Sequence, residues 1–143
     1  MPDVEVRTDL PGGCQTIALP VRGDDQGRLV ALETGAVVPF AIARAYYIFA
    51  TLPGVTRGRH AHRRLTQLAV AVSGSCTMTL DDGERRASIR LDNPAEGLII
   101  GSMVWREMSD FSPDCVLLVL ADSPFDEDDY IRDYALFQEL SCA

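Results

Sequence analysis

Histidine is scarce in this chain: His60 and His62 are the only two among 143 residues. Any chemistry that needs an imidazole has to pass through that one pair. Cysteine is sparse as well. The four stand at 14, 76, 115 and 142 and never form a CxxC pair, which argues against a zinc knuckle. Cys76 and Cys115 lie in apolar runs and read as buried thiols. With 47% hydrophobic residues the core is large enough to make a disulfide framework superfluous. No apolar run approaches membrane-spanning length, so no membrane partner is expected. The start, Met1-Pro2-Asp3-Val4-Glu5, lacks the basic and apolar stretches of a signal peptide, and the expected location is the cytoplasm. Glycine-rich phosphate loops, a βαβ rhythm, internal repeats, low-complexity tracts and linkers are also missing. A parallel α/β sheet is thereby disfavoured, and residues 1–143 read as one domain.

Charge is abundant but uneven. The formal net charge is −8, and an acidic surface repels a phosphate backbone, so nucleic acid is not an expected partner. Arg57, Arg59, Arg63, Arg64, Arg85, Arg86 and Arg90 nevertheless crowd the middle of the chain, while Asp122 to Asp133 is strongly acidic. A basic middle in an acidic protein suits a local anion site, although a solvated charged face explains any one of these arginines equally well.

The apolar runs are short, β-rich and separated by turn residues. Leu29 to Glu33, Ala45 to Ala50, Gln67 to Val72, Cys76 to Leu80, Ala87 to Leu91, Leu98 to Ile100 and Val116 to Ala121 read as strands. Asp82-Gly83 between two alternating runs signals a hairpin. Short strands at this spacing predict a sandwich or barrel. One helix is expected late: Asp126 to Asp129 supply caps and a negative first turn, and Tyr130, Tyr134 and Phe137 recur at helical spacing.

On an extended strand, residues two apart share a face, so His60 and His62 enter one space. Such a pair is open to three readings: a metal site, an acid–base site, or a structural pair satisfied by hydrogen bonds. The wider spacing is informative. Gly54, five residues, His60-Ala61-His62, four residues, Gln67, six residues and Gly74 resemble the first motif of the cupin superfamily. Metal-binding cupins have a glutamate where Gln67 stands and take another histidine from a second motif. The corresponding stretch here, Gly97 to Asp110, has no histidine and carries Trp105-Arg106-Glu107. An amide and a guanidinium are poor replacements for a carboxylate and an imidazole, so no metal is expected. A lone tryptophan in a barrel reads as core.

A closer resemblance covers about Gly27 to Phe137. Arg44-Ala45-Tyr46-Tyr47-Ile48-Phe49, Arg57-Gly58-Arg59-His60-Ala61-His62, Val72-Ser73-Gly74-Ser75-Cys76, Trp105-Arg106-Glu107-Met108 and Asp129-Tyr130-Ile131-Arg132-Asp133-Tyr134 are similar to blocks of the dTDP-sugar 3,4-ketoisomerases, WxcM-like cupin enzymes of deoxysugar biosynthesis. The resemblance implies an all-β, cupin-type β-barrel (jelly roll) with a short C-terminal helix. It implies conversion of dTDP-4-keto-6-deoxyglucose to a 3-keto isomer without metal or organic cofactor, in a homodimer that exchanges strands. His60 matches the catalytic base and Tyr46 an active-site tyrosine; His62 takes a supporting role. Arg44 shares a face with Tyr46. Arg59, Arg64 and Arg106 are candidates for the substrate's pyrophosphate, and Gln67 for orienting an active-site group. The turn Asp24 to Arg28 departs from relatives and, with Arg106, is expected near the sugar. A cupin-type sugar-nucleotide epimerase and a non-catalytic sugar-nucleotide binding module are the competing readings.

Overall fold

A computed structural model describes residues 4–142, so the reading of Met1 to Asp3 and of the final alanine lies outside the described residues. The strands are β1 (Gln15–Ala18), β2 (Arg22–Asp24), β3 (Gly27–Leu29), β4 (Arg44–Ile48), β5 (Arg57–His62), β6 (Gln67–Ser73), β7 (Cys76–Asp81), β8 (Arg86–Leu91), β9 (Glu96–Ile100), β10 (Trp105–Ser109), β11 (Val116–Ala121) and β12 (Tyr130–Ile131). One helix, α1 (Tyr134–Ser141), follows. Two five-stranded antiparallel sheets, ordered β1-β9-β6-β11-β4 and β12-β5-β10-β7-β8, face each other, and β2-β3 form a separate hairpin. This is the expected cupin-type barrel with its short C-terminal helix.

Alternation explains the layers. In β7, Cys76, Met78 and Leu80 are buried while Thr77 and Thr79 are half-exposed, as period-two patterning requires. These inward residues join Leu98, Ile100, Leu117 and Val119 in the main core. Leu68 through Ala71 of β6 are buried on both faces, because the segment around Val30 to Ile42 covers the outer side of its sheet. The second sheet is covered in the same way: Trp105, Ala61 and Ile131 pack under Phe137 of α1. Trp105 is therefore core, as expected, and its indole N–H donates to Glu107 at 3.0 Å. Cys76 and Cys115 are buried free thiols, and burial pushes Cys76 up to about 12.

Several boundaries differ from the sequence reading. The Leu29 to Glu33 run is not a strand beyond Leu29; Val30 and Leu32 are used to cover the outer face and have no ladder partner. The strand read to Ala50 ends at Ile48, and Ala50 turns to φ 56°. The helix begins later than its periodicity suggests. Asp126 caps only a short 3-10 turn, Glu127–Asp129, and Tyr130 then pairs with His62 on β12. The cap of α1 is Asp133, whose carboxylate accepts from the backbone of Ala135 at 2.9 Å. Among the described residues no helix is long and apolar enough to cross a membrane.

Candidate active site

β5 places the two histidines. Its partner β10 keeps register at His60 opposite Arg106, then slips so that Glu107 faces Gly58. Arg59 is the extra residue of this bulge, at φ 54°, next to Gly58 at φ 86°. A Cβ on Gly58 would come within 3.1 Å of the Arg106 carbonyl oxygen, in a conformation that already favours glycine. Because the bulge precedes His60, alternation resumes after it. The His60 and His62 rings meet edge-to-face at 4.9 Å, and Tyr130 covers both at 5.0 and 4.4 Å.

The two imidazoles are not equivalent. His60 is half-buried and lines a cleft of about 480 Å³ together with Arg44, Tyr46, Tyr47, Ile48, Phe49, Arg57, Gly58, Met108, Tyr130 and Arg132. His62 lies one layer deeper, 1% exposed, with Nδ1 3.1 Å from Asp129 Oδ2. The other Asp129 oxygen accepts from the Arg64 backbone at 2.8 Å. Asp129 Oδ2 accepts the Nδ1–H, and Nε2 is left with the lone pair. That Nε2 is buried and meets no hydrogen-bond partner among the described residues. Burial lowers the pKa of His60 to about 4, helped by the Arg106 cation. It lowers His62 too, against the pull of Asp129. Both rings are therefore neutral near pH 7 and able to accept a proton.

Behind the cleft sits a buried polar chain. Arg106 is 2% exposed and donates to Gln67 Oε1 and, at 2.9 Å, to the Val104 carbonyl. Gln67 Nε2 donates to Tyr46 Oη at 3.1 Å. The Arg44 guanidinium stands 4.8 Å from the Tyr46 ring centre and 5.6 Å from that of Phe125.

The arginine candidates lie apart from this cleft. Arg59, Arg64 and Arg106 were candidates for the pyrophosphate, and none lines the cleft. The bulge turns Arg59 to the opposite side of the sheet, beside Arg86, Trp105 and Tyr134. Arg64 is exposed, 3.6 Å from Asp126. Arg106 is enclosed in the barrel. The Asp24 to Arg28 turn belongs to the separate β2-β3 hairpin, and none of its residues lines the cleft of the same chain. Arg57 and Arg132 line the cleft with Arg44. Arg132 is steadied by Glu127 at 2.8 Å and by the Tyr130 ring at 4.2 Å. Both lie within the blocks quoted above, but no spacing rule told them from their neighbours. Asp129 was read as a helix-capping residue; its pairing with His62 comes from a contact 67 residues away in the chain.

Comparison with known proteins decides the family. The FdtA, WxcM-like C-terminal family model matches residues 12–141. The chain belongs to the FdtA/WxcM-like family. The match starts earlier than the resemblance at Gly27 did and so takes in β1 and β2. A family relative from Aneurinibacillus thermoaerophilus, TDP-4-oxo-6-deoxy-alpha-D-glucose-3,4-oxoisomerase, is 51% identical over 116 residues, 81% of this chain and 84% of that protein. The crystal structure of a 3,4-ketoisomerase from Helicobacter canadensis superposes with a TM-score of 0.88 at 42% identity, covering 91% of this chain and 98% of the other. A histidine-to-asparagine variant of the 3,4-ketoisomerase QdtA from Thermoanaerobacterium thermosaccharolyticum, in complex with TDP-4-keto-6-deoxyglucose, gives 0.90 at 37% identity, covering 92% and 96%.

Proposed function

We propose that this FdtA/WxcM-like protein is a dTDP-4-keto-6-deoxyglucose 3,4-ketoisomerase. The observation that carries the reading is the half-buried, neutral His60 in the wall of an arginine-rich cleft, in a chain 51% identical to a 3,4-oxoisomerase. Moving a ketone from carbon 4 to carbon 3 begins with loss of the carbon 3 proton, which the adjacent carbonyl acidifies. The resulting enediol regains a proton at carbon 4, and a proton passes between the two oxygens, so nothing is gained or lost overall. His60, as a neutral base, takes the first proton and returns one at carbon 4. His62, held by Asp129, supports it from the layer behind. Tyr46 hydrogen-bonds a sugar oxygen. Arg44, Arg57 and Arg132 offer the forks that suit a pyrophosphate. The buried Arg106 cation beside both imidazoles would repel a divalent ion, and the chemistry assigned here uses acid–base groups alone.

The chain is read further as a cytoplasmic homodimer with exchanged strands. The β2-β3 hairpin is exposed at all six residues, and Tyr47 and Phe49 are each 63% exposed at the edge strand β4. A second copy would cover such surfaces. Light scattering on the purified protein is expected to give twice the chain mass.

Incubation with dTDP-4-keto-6-deoxyglucose in deuterated water, followed by NMR, tests the activity. A 3-keto product carrying deuterium at carbon 4 is expected, and its coupling pattern gives the configuration there. Binding without turnover would leave the binding-module reading standing instead.

A further inference from the structure

We propose that Arg106 and Gln67 form a one-way hydrogen-bond relay that obliges Tyr46 to donate its hydroxyl proton into the cleft. This rests on the isomerase reading for the identity of the acceptor, and on the geometry alone for the direction of the bond.

Arg106 is the one member of this hydrogen-bonded chain whose role has no alternative. A guanidinium has only donors. Arg106 is enclosed and meets no carboxylate within ion-pair distance among the described residues; its partners are the neutral oxygens of Gln67, Val104 and Gly101. The group of Gln67 that faces it must therefore be the amide oxygen. Flipping that amide would lose the bond and press an NH2 group against a cation. With the oxygen fixed toward Arg106, the NH2 group faces Tyr46 and donates to its oxygen at 3.1 Å. The phenol now accepts from behind, and its own O–H is left to be spent elsewhere. Tyr46 lines the cleft beside His60, so the direction left open to it is toward the substrate.

Such a donor has a defined use. When the carbon 3 proton leaves, negative charge develops on the ketone oxygen. A preorganised donor aimed at that oxygen acts where charge appears in the transition state. Burial holds the Tyr46 pKa above its ordinary value, although Gln67 and Arg106 oppose that rise. The group is thus a protonated donor at neutral pH. Gln67 and Arg106 do not touch substrate in this scheme; they are positioning residues. Position 67 also has to be an amide. A carboxylate there would accept from Arg106 and from Tyr46 alike, and would draw the hydroxyl away from the cleft.

Gln67→Glu is the direct test, since it keeps the shape and reverses the polarity. Its kcat is expected to fall roughly 10²–10³-fold, with KM changed less than about threefold, while the melting temperature holds or rises because Arg106 gains a counter-ion. Tyr46→Phe should fall by a similar factor, and the double variant should be no worse than Tyr46→Phe alone. A wild-type kcat in Gln67→Glu, or a loss that multiplies in the Tyr46→Phe background, overturns the relay. Ultraviolet difference titration, with Tyr46→Phe as the blank, reads the same bond without turnover. The Tyr46 pKa should rise in Gln67→Glu because the donor to the phenolate is gone. Gln67→Met, which carries neither donor nor charge, should raise it also and covers the case in which Gln67→Glu does not fold. An unmoved titration overturns the relay whatever the activity. Conversely, a wild-type protein that fails to isomerise the sugar refutes the isomerase reading and leaves the titration to decide the relay.

Discussion

Along the paired strands β6 and β11 the barrel interior changes character within five residues. Ala71 faces Leu117, Ala69 faces Val119, and Gln67 faces Ala121. At the first of these pairs the lining is hydrocarbon, continuous with Met78 and Leu98. Around the last lie Gln67, Arg106, Tyr46 and the two histidines. The same alternation aims all of these side chains inward, so geometry does not distinguish the two ends; residue type does. The apolar end gains stability from each buried methylene. The polar end gives some back. Among the described residues it holds a cation without a carboxylate partner, a pair of imidazoles that burial keeps neutral, and a ring nitrogen with no partner. Groups left in so unfavourable a setting are those whose state is wanted for chemistry.

That contrast is broken most directly at His60. His60→Gln keeps a polar, half-buried side chain and removes the base. We expect kcat to fall roughly 10²–10⁴-fold, with little change in KM or melting temperature, measured by NMR turnover and calorimetry. The opposite end should answer in the opposite way. Leu117 is fully buried in the apolar core, and Leu117→Ala should cost about 2–5 kcal/mol of unfolding free energy, read by urea denaturation, while kcat per folded molecule stays near wild type. Large activity loss in folded Leu117→Ala, or a large stability loss in His60→Gln, would show that the two ends are not separable.

The apolar end was also the legible one. Val116 to Ala121 was read as a strand to the residue, because a short β-rich run between turn residues is a local signal. The histidine pair was legible for the same reason, since two residues on one strand need only the period of two. What could not be read was long-range. Nothing near Asp129 in the chain says that its carboxylate meets His62 and not a helix end. Arg59 looked like one more residue of the catalytic strand. A bulge, set by Gly58 and the slipped register with β10, turns it away from the cleft. Tyr130 had helical spacing with Tyr134 and Phe137, and β5 claimed it as a strand partner. Gln67 was expected to orient an active-site group, but which group, and which way, required Arg106 on another strand.

A finer expectation concerns acid. Burial depresses the pKa of both histidines below the value of about 6.5 that an unfolded chain gives them. The unfolded state therefore binds more protons than the folded state between about pH 6.5 and the folded pKa, about 4 for His60. In that window stability rises with pH. The stabilising contribution of neutral, buried imidazoles is fully present above about pH 6.5 and is lost as the pH falls toward 4. Each histidine supplies a slope of at most about 1.4 kcal/mol per pH unit. His60→Gln and His62→Gln should each flatten the fall in unfolding free energy between pH 7 and 5, measured by urea denaturation at several pH values. Leu117→Ala should shift the whole curve down without changing its slope, because it removes packing and no titrating group. A slope unchanged in both histidine variants would mean that the imidazoles are as well solvated in the folded chain as in the unfolded one. The polar end of the barrel would then be wetter than its enclosed geometry implies.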